Sequence, residues 1–222
     1  ISEKINWWIN SENELGLLFS RLSNYAGLIF SVDASNNTAK KYEEILEVKL
    51  TDLTKPQTMF IKWLASLKDL KNQIESSDLL KEHSFYLNNL VEKNRYMLDD
   101  KVEVAMAKMK NTGSNAWSQL WNVLTSNLLV DIVIEGEEKK LPLPVIRNMA
   151  HDKSSKIRKA AFEAELNAYE SFNESAAASL NGVKGEVITE SDLRGYISPL
   201  EKTLKDSRMD QETLDAMLEA MV

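Results

Sequence analysis

A chain of 222 residues with 43% hydrophobic content is long enough for one large or two small domains around a buried core. Its formal net charge of −7 argues against nucleic acid as a partner, because that affinity rests on Lys and Arg displacing condensed counterions. With no Cys, disulfides, thiolate zinc sites, iron–sulfur clusters and a cysteine nucleophile are excluded, and a reducing, cytoplasmic setting fits.

Only 7 Gly and 4 Pro punctuate the chain, so long stretches rich in Leu, Glu, Lys, Ala and Met read as helix. No run approaches the roughly 18 consecutive apolar residues of a membrane span, and the start lacks a signal-peptide pattern. No membrane partner is therefore expected. Both ends read as cut, the second falling inside the apolar series Leu214, Met217, Leu218 and Met221.

Ser11 to Glu14 fits a capping box, and Leu15, Leu18, Leu22, Tyr25 and Ile29 then recur on one helical face. Phe19, Leu28 and Phe30 widen that face, which predicts more than one covering neighbour. A polar turn spans Asp33 to Asn37. From Thr38 the period continues through Tyr42, Ile45, Leu46, Leu50 and Leu53, with Glu43, Glu44 and Glu47 outward, until Pro56 predicts a kink or break. Met59, Phe60, Trp63, Leu64, Leu67, Leu70 and Ile74 resume an apolar stripe, so a long hairpin arm is expected.

Ser77 or Asp78 can cap a helix through Leu87, Leu90, Val91 and Met97, and Asp99 or Asp100 one through Val102, Met106 and Met109 that ends at Gly113. Trp117, Leu120, Trp121 and Leu124 form a short helix. The period then changes: Leu129 to Glu135 reads as a strand, Gly136 as a turn and Glu137 to Leu141 as a return strand. Asp152 is expected to cap a helix running to about Leu180. Gly182, Gly185 and Gly195 loosen the next stretch, Pro199 suits a first helical turn, and Asp210 caps the last helix.

The chemistry-bearing residues are few. His83 and His151 are the only imidazoles, and neither has a second ligand at a spacing used by zinc sites. Adjacent carboxylates such as Glu43-Glu44 and Asp99-Asp100 diverge in direction and read as solvated faces. Lys153, Lys156, Arg158 and Lys159 form a basic helix start without a Gly-rich phosphate loop. The pairs Trp7-Trp8 and Trp117 with Trp121 read as packing before they read as peptide clamps. Asn181-Gly182 and Arg194-Gly195-Tyr196 set polar side chains among glycines, where backbone can approach a ligand closely, although turn chemistry is the favoured account of them.

Three ordered stretches resemble the oligoendopeptidase F branch of the M3 zinc metallopeptidases. They are Leu15 to Ser35, with the Asp-Ala-Ser-Asn turn; Trp117 to Val133, then Asp152 to Arg158 and Ala160-Ala161-Phe162; and Leu180-Asn181-Gly182 with Arg194 to Leu200 and Thr213-Leu214. The resemblance is to the N-terminal part of that family. It implies a mainly α fold, a multi-helix lobe with one small β-hairpin, like the N-terminal lobe of the neurolysin-like M3 peptidase fold.

It further implies a helical lobe over residues 1–110 and, over 111–222, the incomplete start of the peptidase region, with its hairpin near 129–141. In the family, zinc is held by an H-E-x-x-H helix and a downstream carboxylate and hydrolyses short peptides. This sequence has no such motif, so by resemblance zinc belongs to the full-length protein and none to this portion, and no catalytic or metal residue is assigned. Arg194, Tyr196 and Asn181 are the candidate channel-lining residues. The function implied is a non-catalytic lobe of a peptidase acting on short peptide substrates; a stand-alone helical scaffold that binds a partner through the Met59 and Trp63 stripe or the Val102 to Met109 face is the alternative.

Overall fold

The structure of the chain, a computed structural model, describes residues 1–32 and 36–221. It is mainly helical with one antiparallel hairpin, as expected. The polar turn expected from Asp33 falls mostly on residues 33–35, outside the described residues.

Helix α1, Ser2–Val32, begins nine residues before the expected capping box, so Ser11 to Glu14 lies inside it. The reason is that Ile5 and Ile9, both buried, extend the apolar stripe back through that motif. Its covered face also differs from the expected one. Ala26 is buried and Leu18, Leu22 and Tyr25 are exposed, because the small pair Ala26-Gly27 lets helix α2, Asn37–Asp52, approach closely enough that the Glu43 carboxylate rests on Gly27. Thus α2 covers this part of α1 on one side only, and Glu43 turns inward. By length and composition alone α1 is also apolar enough to cross a membrane, a property absent from the count of consecutive apolar residues. The α1–α2 pair forms a hairpin.

Helix α3, Thr54–Ala65, takes Pro56 into its first turn, where the missing donor has no helical partner to lose; the break falls at Leu53. Helices α4 (Leu70–Glu75), α5 (Asp78–Glu82) and α6 (Ser84–Lys93) then close the first core, in which Ile5, Ile9, Phe60, Leu64, Ile74, Leu80 and Leu87 pack together. Trp8 stacks on Phe60 with centroids 4.1 Å apart. Met59, expected in this stripe, is exposed.

A short 3-10 turn, Asn94–Tyr96, leads to α7, Asp100–Thr112, capped by Asp99, whose carboxylate accepts from Lys101 N–H at 2.9 Å. The buried residue of α7 is Glu103 rather than the Val102–Met109 stripe, of which Val102 and Met109 are exposed. After α8, Ser114–Ser126, strands β1 (Leu129–Ile134) and β2 (Glu137–Pro142) pair from Leu129 opposite Pro142 to Ile134 opposite Glu137. Glu135 and Gly136, both at positive φ, make the two-residue turn whose twist suits a hairpin. Val130 and Ile132 pack on α9 (Leu143–Asn148) and α10 (Ser155–Tyr169) to form the second core.

The expected helix to Leu180 is interrupted: α10 ends at Tyr169, and after a 3-10 turn α11 runs Asn173–Arg194. Asp152 precedes the cap, accepting from Ser154 N–H at 2.7 Å. Gly182 and Gly185 lie inside α11. At Gly182 the absence of a side chain is what lets α8 pack on α11, since a Cβ there would overlap the Trp117 indole. Helices α12, Pro199–Asp206, and α13, Gln211–Ala220, complete the chain, capped by Ser198 and Asp210.

Gly182→Ala should therefore destabilise by about 1–3 kcal/mol, even though an exposed helical glycine replaced by alanine gains about 1 kcal/mol. Urea denaturation measures it. Combining the change with Trp117→Ala should recover part of the loss, which would not happen if the glycine mattered only for backbone freedom.

Candidate functional site

The candidate site is built where the end of α11 meets the turn after α6. Glycine at 195 adopts the left-handed conformation (φ 78°) that ends α11, and Tyr196 N–H donates back to Ser191 C=O at 3.0 Å. That closure directs Tyr196 onto Tyr96, ring on ring, with centroids 4.0 Å apart and planes 4° from parallel. Glu201 fastens the turn, accepting from Ile197 N–H at 2.7 Å and from the Tyr96 hydroxyl at 3.3 Å. Lys205 sits over the Tyr96 ring and pairs with Glu92 at 2.7 Å.

Arg194 itself is enclosed by partners. Its two terminal nitrogens donate to the two Glu103 oxygens at 2.7 and 2.9 Å, its Nε donates to Glu190 at 2.9 Å, and Nη1 also reaches Tyr96 C=O at 3.1 Å. Lys110 donates to the second Glu190 oxygen at 2.8 Å, and Leu98 N–H to Glu103 at 2.8 Å. The side chains of Arg194, Glu103 and Glu190 are only 14%, 9% and 6% exposed. Burial by itself raises a carboxyl pKa, yet donation from Arg194 and Leu98 holds Glu103 below its usual range, and donation from Lys110 and Arg194 does so for Glu190.

Two neighbouring cavities, with Lys93, Tyr96 and Tyr196 in the walls of both, flank this network. The outer one, about 490 Å³, runs along Trp8, Phe85, Tyr86, Tyr96 and Tyr196. The inner one, about 250 Å³, lies between α3, α7, α11 and α12 and is polar. Of the three residues singled out by sequence, Arg194 and Tyr196 both line the inner cavity, whereas Asn181 stands on an exposed face about 20 Å back along α11. Glu103 and Tyr96 escaped the sequence reading because their partners lie 91 to 105 residues away. The Glu190 to Arg194 spacing of four was a readable signal.

A further cleft of about 810 Å³ separates the α1–α2 hairpin from α8, with Glu43, Glu44 and Glu47 facing Asn115, Gln119 and Asn122. Burial, with repulsion from Glu43 and Glu44, raises the Glu47 carboxyl pKa. His83 contacts Leu79 C=O through Nδ1 at the α5–α6 junction, and His151 is exposed in the turn after α9. Among the described residues, no three His, Cys, Asp or Glu side chains are grouped so as to hold a metal ion.

Arg194→Met should leave two buried carboxylates with one cation between them and destabilise by about 3–5 kcal/mol at pH 7. In the wild type the depressed folded-state pKa values contribute stability that is complete above the unfolded value, about 4.3, and is lost as pH falls below it. In the variant burial dominates and raises the Glu103 pKa, so acidification towards pH 4.5 favours its folded state. Urea midpoints of the two proteins should converge over that range; a gap that stays constant with pH contradicts the assignment.

Residues 65–128 match the family model described as Oligopeptidase F. No curated protein matches the chain in sequence. Among solved structures the chain is similar to oligoendopeptidase F from Enterococcus faecium, at 19% identity and a TM-score of 0.80, over 99% of this chain and 43% of that one. It is also similar to a protein designated oligoendopeptidase F from Bacillus anthracis str. Ames, at 18% identity and a TM-score of 0.64, over 95% of this chain and 36% of that one. A protein designated a peptidase, from Chlamydophila abortus, gives 20% identity and 0.55 over 92% and 35%. At these identities the likeness is one of fold, and the chain spans less than half of each protein it matches. Family model and fold agree that this chain resembles the N-terminal part of oligoendopeptidase F.

Proposed function

We propose that this chain is the N-terminal, non-catalytic lobe of a cytoplasmic zinc metalloendopeptidase that hydrolyses short oligopeptides. The observation that carries the reading is the fold likeness to oligoendopeptidase F along 99% of this chain but only 43% of the other. The described residues offer no grouping of donors that fits zinc, so the lobe is given no step through the metal. Its role is architectural: it walls one side of a channel and restricts entry to unfolded peptides. In this reading Tyr196 and Asn181 face peptide, while Arg194, four of whose five N–H groups are taken up by Glu103, Glu190 and Tyr96, positions the turn that carries Tyr196.

The scaffold alternative has one observation in its favour, the exposure of Met59, Val102 and Met109. Elemental analysis and a quenched-peptide assay separate the readings. The chain alone should bind no stoichiometric zinc and cleave nothing, and extension of its reading frame past Val222 into an H-E-x-x-H segment should confer zinc-dependent hydrolysis. Cleavage by the chain alone, or a reading frame that stops at Val222, would sink the proposal.

A further inference from the structure

The inner cavity holds an imbalance that the Arg194 network does not use. Thr58 lines it at 2% exposure, and its hydroxyl makes no hydrogen bond with any described residue. The fully enclosed side-chain atoms without a partner are Asn6 Oδ1, Trp8 Nε1 and Ser179 Oγ among the described residues, so the Thr58 oxygen opens to the cavity and is a neutral donor available to an occupant. Charge is unbalanced as well, with four cationic side chains lining the cavity against three carboxylates. Arg194 and Lys110 are matched by Glu103 and Glu190, and Lys202 by Asp206 at 2.8 Å. Lys93 makes no ion pair with any described residue, and it lines both the inner and the outer cavity.

One surplus positive charge suits a monoanion. A phosphate, carrying about two negative charges at neutral pH, would leave one uncompensated beside three carboxylates. At about 250 Å³ the cavity has room for roughly eight waters, enough for a carboxylate and the first atoms attached to it. The rest of such a ligand would continue into the outer cavity over the stacked Tyr96 and Tyr196 rings.

We propose that this pair of cavities binds the carboxylate end of a small ligand, with Lys93 supplying the charged donor and Thr58 the neutral one. Free small carboxylates and the C-terminus of a short peptide share that chemistry. Binding of this kind does not depend on the peptidase reading.

The test is titration of the 222-residue chain at fixed ionic strength by calorimetry and by tryptophan fluorescence, since Trp8 lines the outer cavity. The probes are N-acetyl-tetra-alanine with a free C-terminus, its C-terminal amide, acetate and phosphate. The free acid should bind about tenfold or more tightly than the amide, as expected of a charge-assisted hydrogen bond. Lys93→Met, a change at an exposed position, should abolish that preference without altering the melting temperature. Thr58→Val should weaken the acid alone by a factor of about three to ten; should this buried substitution fail to fold, Lys93→Met decides. Acetate competing as well as the acid peptide assigns the site to free carboxylates, and acetate much weaker than the peptide assigns it to peptide termini. Equal binding of acid and amide, phosphate binding at least as tightly as the acid, or a preference that survives Lys93→Met overturns the proposal.

Discussion

The Arg194 guanidinium must satisfy two carboxylates that have been withdrawn from water, and the surrounding architecture depends on how it does so. Removing ions from solvent is costly, and the cost is offset only where geometry is good and the remaining hydrogen-bonding capacity is filled. Here Glu103 receives both terminal nitrogens, Glu190 receives Nε, and Lys110 and Leu98 N–H occupy further acceptor positions. A planar fork with fixed donor directions can meet these demands in few arrangements, which fixes α7 against α11 and both against the turn ending at Tyr96. A lysine, a point charge, would not impose the same constraint.

That constraint also sets the aromatic pair. Once Arg194 is held, the left-handed Gly195 can deliver Tyr196 only to the neighbourhood of Tyr96, and Glu201 on α12 locks the turn from its other side. The two cavities are the space left between these ordered groups. Their walls come from segments that meet only in the folded chain, α3, α6, α7, α11 and α12, so their shape depends on the ion network as a whole.

Much of the fold was legible because it rests on local chemistry. Asp99, Ser198 and Asp210 accept from backbone N–H two or three residues on, and the Glu135-Gly136 turn between the two strands is a short-range signal. The misreadings have a different origin. Apolar residues flank α1 on several sides, so the 3.6-residue period could not say whether the Leu18 to Tyr25 side or the Ala26 side would be covered; the proximity of α2 decided it. Glycine at 182 resembled a loop signal until its packing against Trp117 was visible. In α7 the apolar period of Val102, Met106 and Met109 gave no sign of Glu103, which took the buried position because its partner arrives from residue 194.

The same distinction bears on the thin chemical inventory of this chain. A fold can be shared at 19% identity because helix packing demands apolar periodicity, small residues at close crossings and a few satisfied buried charges, and many sequences meet those demands. Chemistry is less permissive, since a metal site or a nucleophile with its base needs particular residues at particular distances. This chain matches most of its own length to less than half of oligoendopeptidase F from Enterococcus faecium and groups no metal donors among its described residues, so what the two share is helix packing. Lys93, which makes no ion pair with any described residue, and the Thr58 hydroxyl line the same cavity as an Arg194 that donates four of its five N–H groups within the network, and they mark where this surface has bonding capacity left for something other than itself.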